Sequence, residues 1–266
     1  MFPAPIQTPQ TECKCCGGTA SLYGVCDFAK MGRERFGEFL PRTGIPIYYY
    51  RCGACGFIFT TQFDQATHKE LKHHIYNDEY VRAIDLDYTA ARPQHNATLM
   101  GHFFGAHKES IRILDYGGGN GLLARLLGES GFRHVETYDP FTAEFAARPE
   151  GRFNLVMSFE VVEHVPTPLA TFEDMVSLLD VSRGLLMFST LLAPENIDTM
   201  RTGWWYIAPR NGHVSIHTGR SLGVALGKCG LHVASSQSLM HFAFREIPDF
   251  ARHFMHIQPP APAAGS

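Results

Sequence analysis

The second half of the chain alternates short apolar runs with stretches of helical spacing. Ile111-Arg-Ile-Leu-Asp115 is rich in β-branched residues and reads as a buried strand. A sharp glycine turn follows. Then come Leu122, Leu123, Leu126 and Leu127, spaced for the buried face of a helix that Gly131 ends. Val135 to Asp139 predicts a second strand and Phe153 to Phe159 the next clear one. Leu169 to Leu179 predicts an amphipathic helix, and Leu185 to Thr190 another strand. Such alternation predicts an α/β fold with a parallel sheet. Thr218 is placed to cap a helix that runs through Leu226 and stops near Gly230. Leu231 to Ser235 and His241 to Arg245 read as two strands joined by a short connection.

The first half is less regular. Met1 to Gln10 is Pro-rich and reads as loose. Ile45 to Tyr50 predicts a strand, which Phe57 to Thr61 continues beyond a Cys-rich turn. From Thr67 to about His107 the pattern is helical, with His68, Leu71, His74, Ile75, Tyr76, Tyr80 and Ile84 as inward positions. Arg92-Pro93 is expected to break that helix. Pro259 to Ser266 is Pro/Ala-rich and expected to be disordered.

Composition narrows the class. With 266 residues, 45% of them hydrophobic, the chain can bury a large domain and a small module. A formal net charge of −3 argues against a nucleic-acid or anionic-membrane partner. No apolar run approaches the roughly 20 residues that span a bilayer. Met-Phe-Pro-Ala-Pro lacks the features of a signal peptide. The expectation is a soluble cytoplasmic protein.

Of the seven cysteines, only Cys229 lies beyond residue 55. Cys13/Cys16 and Cys52/Cys55 are each a C-x-x-C followed by glycine. Four thiolates from two tight turns suit a tetrahedral, structural Zn2+. Redox-active pairs are the other reading. Cys15 and Cys26 are left over, and Cys26 reads as a small buried hydrophobe.

The strand–glycine–helix unit at 111–127 makes a nucleoside cradle, because glycines admit close approach and a helix N-terminus offers free N–H groups. Asp139, about twenty residues on, is placed for ribose hydroxyls, with Phe141 beside it for an adenine face. Gly119, Gly121 and Ala124 also match the weaker form of a dinucleotide fingerprint, so S-adenosylmethionine (SAM) and NAD both remain open at this point.

Asp115-x-Gly117-x-Gly119-x-Gly121 resembles the first motif of class I SAM methyltransferases. Phe159-Glu160-Val-Val-Glu163-His164-Val-Pro166 resembles a segment of small-molecule members of that family, including quinone O-methyltransferases and zinc-bearing sugar methyltransferases. Tyr76-Asn-Asp-Glu-Tyr80 resembles their tyrosine-bearing segment, and Gly212-His213-Val their second histidine. The resemblance, which covers about residues 76–246, implies a Rossmann-like sheet with a terminal antiparallel hairpin. It places Asp115, Gly117, Gly119, Gly121, Asp139, Phe141 and Phe159 at the cofactor. His164 and His213 become candidate general bases assisted by Glu160, while Glu163 is expected to be solvated. Tyr76, Tyr80, Trp204, Trp205, Tyr206 and His217 become candidate acceptor contacts. Arg92 reads as a surface charge, or else as a group that reaches a ligand carboxylate, and His95, His102 and His107 as scattered. Family members usually carry a further helix and strand between the positions of Asp139 and Phe153, with an adenine-binding acid. This chain has no obvious counterpart.

The expected organisation is a zinc-binding module (1–65), a helical bridge (66–110), a SAM domain (111–247) and a tail (248–266). The expected activity is SAM-dependent methyl transfer to a small molecule such as a sugar, a sugar nucleotide or another natural-product intermediate, with no nucleic-acid or membrane partner. An RNA methyltransferase with a zinc ribbon, a non-catalytic SAM-binding protein and an NAD oxidoreductase are the alternatives.

Overall fold

The computed structural model describes residues 8–87, 89–180 and 182–255. Most of Met1 to Gln10, and all of Pro259 to Ser266, lie outside the described residues. Among those described, no helix is long and apolar enough to cross a membrane.

Two sheets organise the chain. The N-terminal one begins with β1 (Gln10–Glu12), β2 (Thr19–Asp27), β3 (Pro46–Cys52) and β4 (Ile58–Thr60), all antiparallel neighbours. Phe57 to Thr61 does not continue β3 in the same direction. The Cys52–Gly56 turn reverses the chain, so that Arg51 faces Ile58 across the ladder. Gly56 takes a φ of +74° there, which only glycine adopts cheaply.

Next come α1 (His68–His74), a single π-helical turn at Tyr80–Ile84, and α2 (Ala91–Phe104). The helical stretch from Thr67 is therefore three pieces. Arg92-Pro93 starts the last of them instead of ending a helix. A proline in a first turn removes an N–H that has no intrahelical partner anyway.

The larger sheet comprises β5 (Arg112–Tyr116), β6 (His134–Tyr138), β7 (Leu155–Phe159), β8 (Leu185–Ser189), β10 (His232–Ser236) and β11 (Met240–Phe244), in the order β10-β11-β8-β7-β5-β6. The four strands β5 to β8 are mutually parallel; β11 runs antiparallel to β8 and β10 antiparallel to β11. This is the Rossmann-like sheet with its terminal hairpin. Between β6 and β7 the described residues form only a short 3-10 turn, Ala143–Phe145. No strand pairs outside β6, which is the sheet edge.

Both faces are covered over the central strands, which is why β7 and β8 are almost wholly apolar, whereas the edge strand β6 is mixed. Leu114, Val156, Leu186 and Phe188 pack with Phe172 and Met175 of α4 (Pro168–Leu178) and with Leu222 and Leu226 of α6 (Gly219–Lys228). The alternate residues Ile113, Leu155, Met157 and Met187 pack with Met100 and Phe104 of α2 and with Leu123 and Leu127 of α3 (Leu122–Glu129). A short α5 (Ile197–Met200) lies beyond β8.

The two sheets are bolted together. Ser215–Ile216, β9, pairs with β4 and becomes the fifth strand of the N-terminal sheet. Thr218 caps α6 through its hydroxyl and also donates that hydroxyl to the Cys55 carbonyl at 2.7 Å. Cys15 Sγ lies 3.1 Å from the Ser221 carbonyl, to which it donates. The spare cysteine is thus part of this joint.

Candidate active site

The glycine turn after β5 is closely confined. Gly117, Gly119 and Gly121 have φ values of +75°, +58° and +71°. A Cβ on Gly117 would sit 2.5 Å from Val161, and one on Gly121 would sit 2.6 Å from the Phe145 ring. At Gly118 it would run into the Asp115 carboxylate. Alternation at these positions is therefore a backbone requirement. The Gly119 amide donates to Asp139 Oδ2 and the Phe141 amide to Oδ1, each at 2.8 Å. Asp139 is anchored at the turn, with lone pairs to spare for a diol.

Asp115 is 3% exposed, and its Oδ2 has no hydrogen-bond partner among the described residues. Burial, and then the charge of Asp139, push its carboxyl up to about 7. Asp139 is raised too, by burial working against its amide donors. A buried, unpartnered acceptor beside a helix N-terminus fits a polar ligand group.

The far wall comes from the end of β7. Phe159 and Glu160 line the same cleft as Arg92, Asn96, Asp115 and Gly118. Glu160 holds a φ of +55°, a left-handed conformation that residues with a Cβ rarely adopt. Ser189 of β8 holds it there: its hydroxyl accepts the Glu160 amide at 2.9 Å and donates to Glu160 Oε1 at 2.8 Å. Arg92 is not a free surface charge. Its guanidinium grips Asp85 in a fork of 3.0–3.1 Å and lines the cleft.

Glu163 is fully buried, not solvated. Its Oε1 accepts the Tyr206 hydroxyl at 2.6 Å, and its carbonyl accepts the amides of Val214 and Ser215. Burial, followed by the neighbouring Glu160, drives its carboxyl well above the usual carboxylate range. The sequence reading failed here because a charged residue next to a histidine gives no sign of which one turns inward.

His164 and His213 meet. Their ring centroids are 5.0 Å apart at 69°. Burial, then His213 and Arg92, hold His164 well below its ordinary pKa. Burial lowers His213 to about 4. Its Nδ1 lies 2.7 Å from the Tyr206 carbonyl, which assigns the proton to Nδ1 and leaves the Nε2 lone pair available. Both rings are neutral near pH 7 and can accept a proton.

Tyr76 roofs this pair, with its ring 6.0 Å from His164 and 6.0 Å from Phe141. Tyr80 stacks edge-on to Tyr76 at 5.2 Å but is itself 3% exposed. His68 lies 4.2 Å from the Phe141 ring. Arg210, itself buried, ties this roof down through the Ile75 carbonyl, Asn77 and Glu79.

The remaining expected acceptor contacts are mostly buried, and the Tyr206 ring lies 4.2 Å from that of His213. Trp204 and Tyr206 are 4% and 2% exposed and pack with Tyr23, Ile47 and Ile207 in the core. Trp205 is half-buried, under the Arg35 guanidinium at 3.8 Å. His217 is fully buried between Phe57 and Phe172, with its Nδ1 facing Ser221. Ser189, Val161 and Phe145 were not expected at the site, whereas Arg92 lines it as the alternative reading of that residue had it. The positions that close on the glycines could have been sought only with the register of β7 in hand.

Away from the cleft, Cys13, Cys16, Cys52 and Cys55 converge, their sulfurs all within 4.8 Å of one another. Cys13 Sγ lies 3.7 Å from Cys55 Sγ and Cys16 Sγ 3.4 Å from Cys52 Sγ. A tetrahedral Zn–S bond of about 2.3 Å gives an edge of about 3.8 Å, so this donor set fits zinc. Amides of Gly18 and Ala54 point at Cys16 and Cys52 sulfurs, as thiolates require.

A family model described as a methyltransferase domain matches residues 88–236, more than half of the chain. The chain belongs to the methyltransferase domain family. It is an enzyme of the SAM-dependent class, and its sheet is the Rossmann-like one of that class. Comparison with curated proteins gives no match. Among solved structures the methyltransferase is similar to magnesium protoporphyrin IX methyltransferase from Synechocystis PCC 6803 with bound SAH. That likeness has a TM-score of 0.46 and 18% identity, over 69% of this chain and 97% of the other. It is also similar to DesVI from Streptomyces venezuelae, with a TM-score of 0.42 and 16% identity, over 61% and 92% of the two chains. OxaC in complex with SAH and oxaline gives a TM-score of 0.46 and 15% identity, over 66% and 54%. No part of the functional reading rests on these likenesses.

Proposed function

We propose that this methyltransferase alkylates a small-molecule acceptor, such as a sugar, a sugar nucleotide or another natural-product intermediate, with a neutral imidazole taking the acceptor's proton. The observation that carries the reading is the meeting of His164 and His213 beside the cofactor cleft, 5.0 Å apart and both held neutral by burial. The aromatic roof of Tyr76 and Phe141 and the net charge of −3 favour a small acceptor over a nucleic acid.

SAM bound at the cradle supplies an electrophilic methyl group on a sulfonium. Asp139 accepts from the ribose hydroxyls, Phe141 and Phe159 supply apolar walls, and Asp115 with the turn glycines holds the polar end. Glu160, held by Ser189, orients the acceptor side. Alignment of the reacting atoms is the main task and contributes roughly 7–11 kcal/mol. His164 or His213 receives the proton as the acceptor is alkylated, which adds about 10²–10⁴ in rate. Burial keeps the His213 ring neutral, so it has a lone pair to take that proton.

We infer one structural Zn2+ on Cys13, Cys16, Cys52 and Cys55, since four protein ligands leave no open position. The division into a module to residue 65, a bridge to 110, a catalytic part to 247 and a tail is part of the same reading.

Calorimetry with SAM and with NAD tests the cofactor; tight NAD binding without SAM binding would sink the proposal. Methyl transfer from radiolabelled SAM across small hydroxylated acceptors and across RNA tests the substrate class. Label transferred to RNA alone overturns it.

A further inference from the structure

The acceptor-side segment Trp204–Ile216 hangs between two supports. On one flank it is bonded to the stretch after β7. Tyr206 donates to Glu163, the Val214 and Ser215 amides donate to the Glu163 carbonyl, and Ser215 Oγ donates to the Val165 carbonyl at 2.7 Å. On the other flank the N-terminal sheet takes hold. Lys30 Nζ donates to the carbonyls of Trp204 and Ile207 at 2.9 and 2.5 Å, the Gly32 amide donates to Asn211 Oδ1 at 2.8 Å, and the Thr60 amide donates to the Val214 carbonyl at 3.1 Å.

One bond reaches the histidine itself. The Tyr49 hydroxyl donates to the His213 carbonyl at 2.7 Å. Tyr49 is fully buried and lies on β3, three residues before the ligand candidate Cys52. His213 is held at two other points: its amide donates to the Ala208 carbonyl and its Nδ1 to the Tyr206 carbonyl. Both of those lie within the same segment. Among the described residues, the Tyr49 bond is the one hydrogen bond that ties this residue to the cysteine-bearing sheet.

We propose that Tyr49 is a positioning residue that sets the imidazole of His213 and so makes the four-cysteine sheet a working wall of the active site. The proposal rests on the reading of His213 as a proton acceptor. A buried carbonyl that loses its donor must find another or move. The shortest route is a shift of the backbone at His213, two residues before β9, which moves its ring away from the Tyr206 carbonyl. The ring would then lose its fixed tautomer and part of its burial.

The test uses the full-length, zinc-loaded protein and reads imidazole nitrogens by long-range 1H–15N correlation. In the parent, His213 is expected as a single Nδ1–H tautomer that stays neutral at pH 5.5. In Tyr49→Phe the tautomers are expected to mix and the ring to titrate at least one pH unit higher. SAM affinity should remain within twofold and zinc should remain at one per chain. Tyr23→Phe is the control: it deletes another buried hydroxyl of the same sheet, one that donates to the Ile197 carbonyl at 2.6 Å. It should leave the His213 signals unmoved.

An unchanged tautomer and titration in Tyr49→Phe, or an equal change in Tyr23→Phe, overturns the proposal. Should Tyr49→Phe fail to fold, 3-fluorotyrosine at position 49 keeps the hydroxyl and strengthens it as a donor. The His213 carbonyl 13C and imidazole 15N signals are then expected to move, and unmoved signals again overturn the proposal. If His213→Gln retained full methyl transfer, the reading of His213 as a base would fail, and the imidazole signals would still decide the role of Tyr49.

Discussion

The amide of Gly119 donates to Oδ2 of Asp139 across 2.8 Å. The bond joins the glycine turn after β5 to the acid at the end of β6, so the two ligand-binding elements form one rigid unit. Asp139→Ala removes both the diol acceptor and this brace. SAM affinity is expected to fall by at least tenfold, about 1.4 kcal/mol. Asp139→Asn keeps an acceptor for Gly119 and should lose less. Calorimetric titration of both variants checks the order.

Gly117→Ala should be more damaging to the fold than its one carbon suggests. The residue holds a φ of +75°, and the added carbon would lie 2.5 Å from Val161. Strain at a position of this kind is worth about 1–3 kcal/mol. A loss of that size in urea denaturation is expected, together with loss of SAM binding. In Gly117→Ala/Val161→Ala the steric part should return, whereas the backbone part should not.

Buried histidines set an acid limit on stability. His213 and His217 are lowered to about 4 and about 3 by burial, against about 6.5 when unfolded. Between those values the unfolded chain binds more protons than the folded one, so stability falls as the pH falls. The loss begins near pH 6.5, with a slope of up to about 1.4 kcal/mol per pH unit for each ring. Buried acids raised by burial, Asp115 and Glu163, act in the opposite sense over the same range, so the histidine part is read as the difference between parent and variant urea midpoints at pH 7, 6 and 5. His217→Gln should remove its part of that loss if the ring can be replaced at all.

Much of the fold could be read from the chain. The strand, glycine turn and helix at 111–127 were legible because positive-φ sites and leucine spacing leave few alternatives. The short gap between Asp139 and Phe153 correctly signalled a reduced sheet edge. Local signals failed where tertiary contacts decide. Glu163 looked like a solvated acid because the Tyr206 hydroxyl that receives it lies 43 residues on. Trp204 and Tyr206 looked like pocket walls, although Tyr23 and Ile47, which they pack with, lie more than 150 positions earlier. Arg92-Pro93 read as a stop because the same residues serve at a first turn and past a last one.

Glu163 is expected to carry a proton in the folded enzyme, since burial and Glu160 both disfavour its charge. Glu163→Gln should therefore stay within about 1 kcal/mol of the parent. Tyr206→Phe, which strips a buried carboxyl of its donor, should cost about 1–3 kcal/mol. Equal losses for the two variants would argue that the carboxyl is ionised.

Metal content offers a separate check. One zinc per chain is expected, retained in His164→Ala and His213→Ala and lost in Cys52→Ser. A strong chelator should release it together with the near-ultraviolet signal of Tyr49 and Tyr50, which lie on the strand leading to Cys52.

The pairing of β4 with β9 also bears on how the chain is made. Phe59 and Ser215 sit side by side in one sheet, yet 156 residues of synthesis separate them. At about 5–20 residues per second, a ribosome needs roughly ten to thirty seconds to close that distance. Throughout that interval Ile58 and Phe59, which end fully buried, have no neighbouring strand on that side. The cysteine turns emerge early and β9 emerges late. An N-terminal sheet clamped by metal while translation continues would keep this sticky edge in order until its last strand arrives.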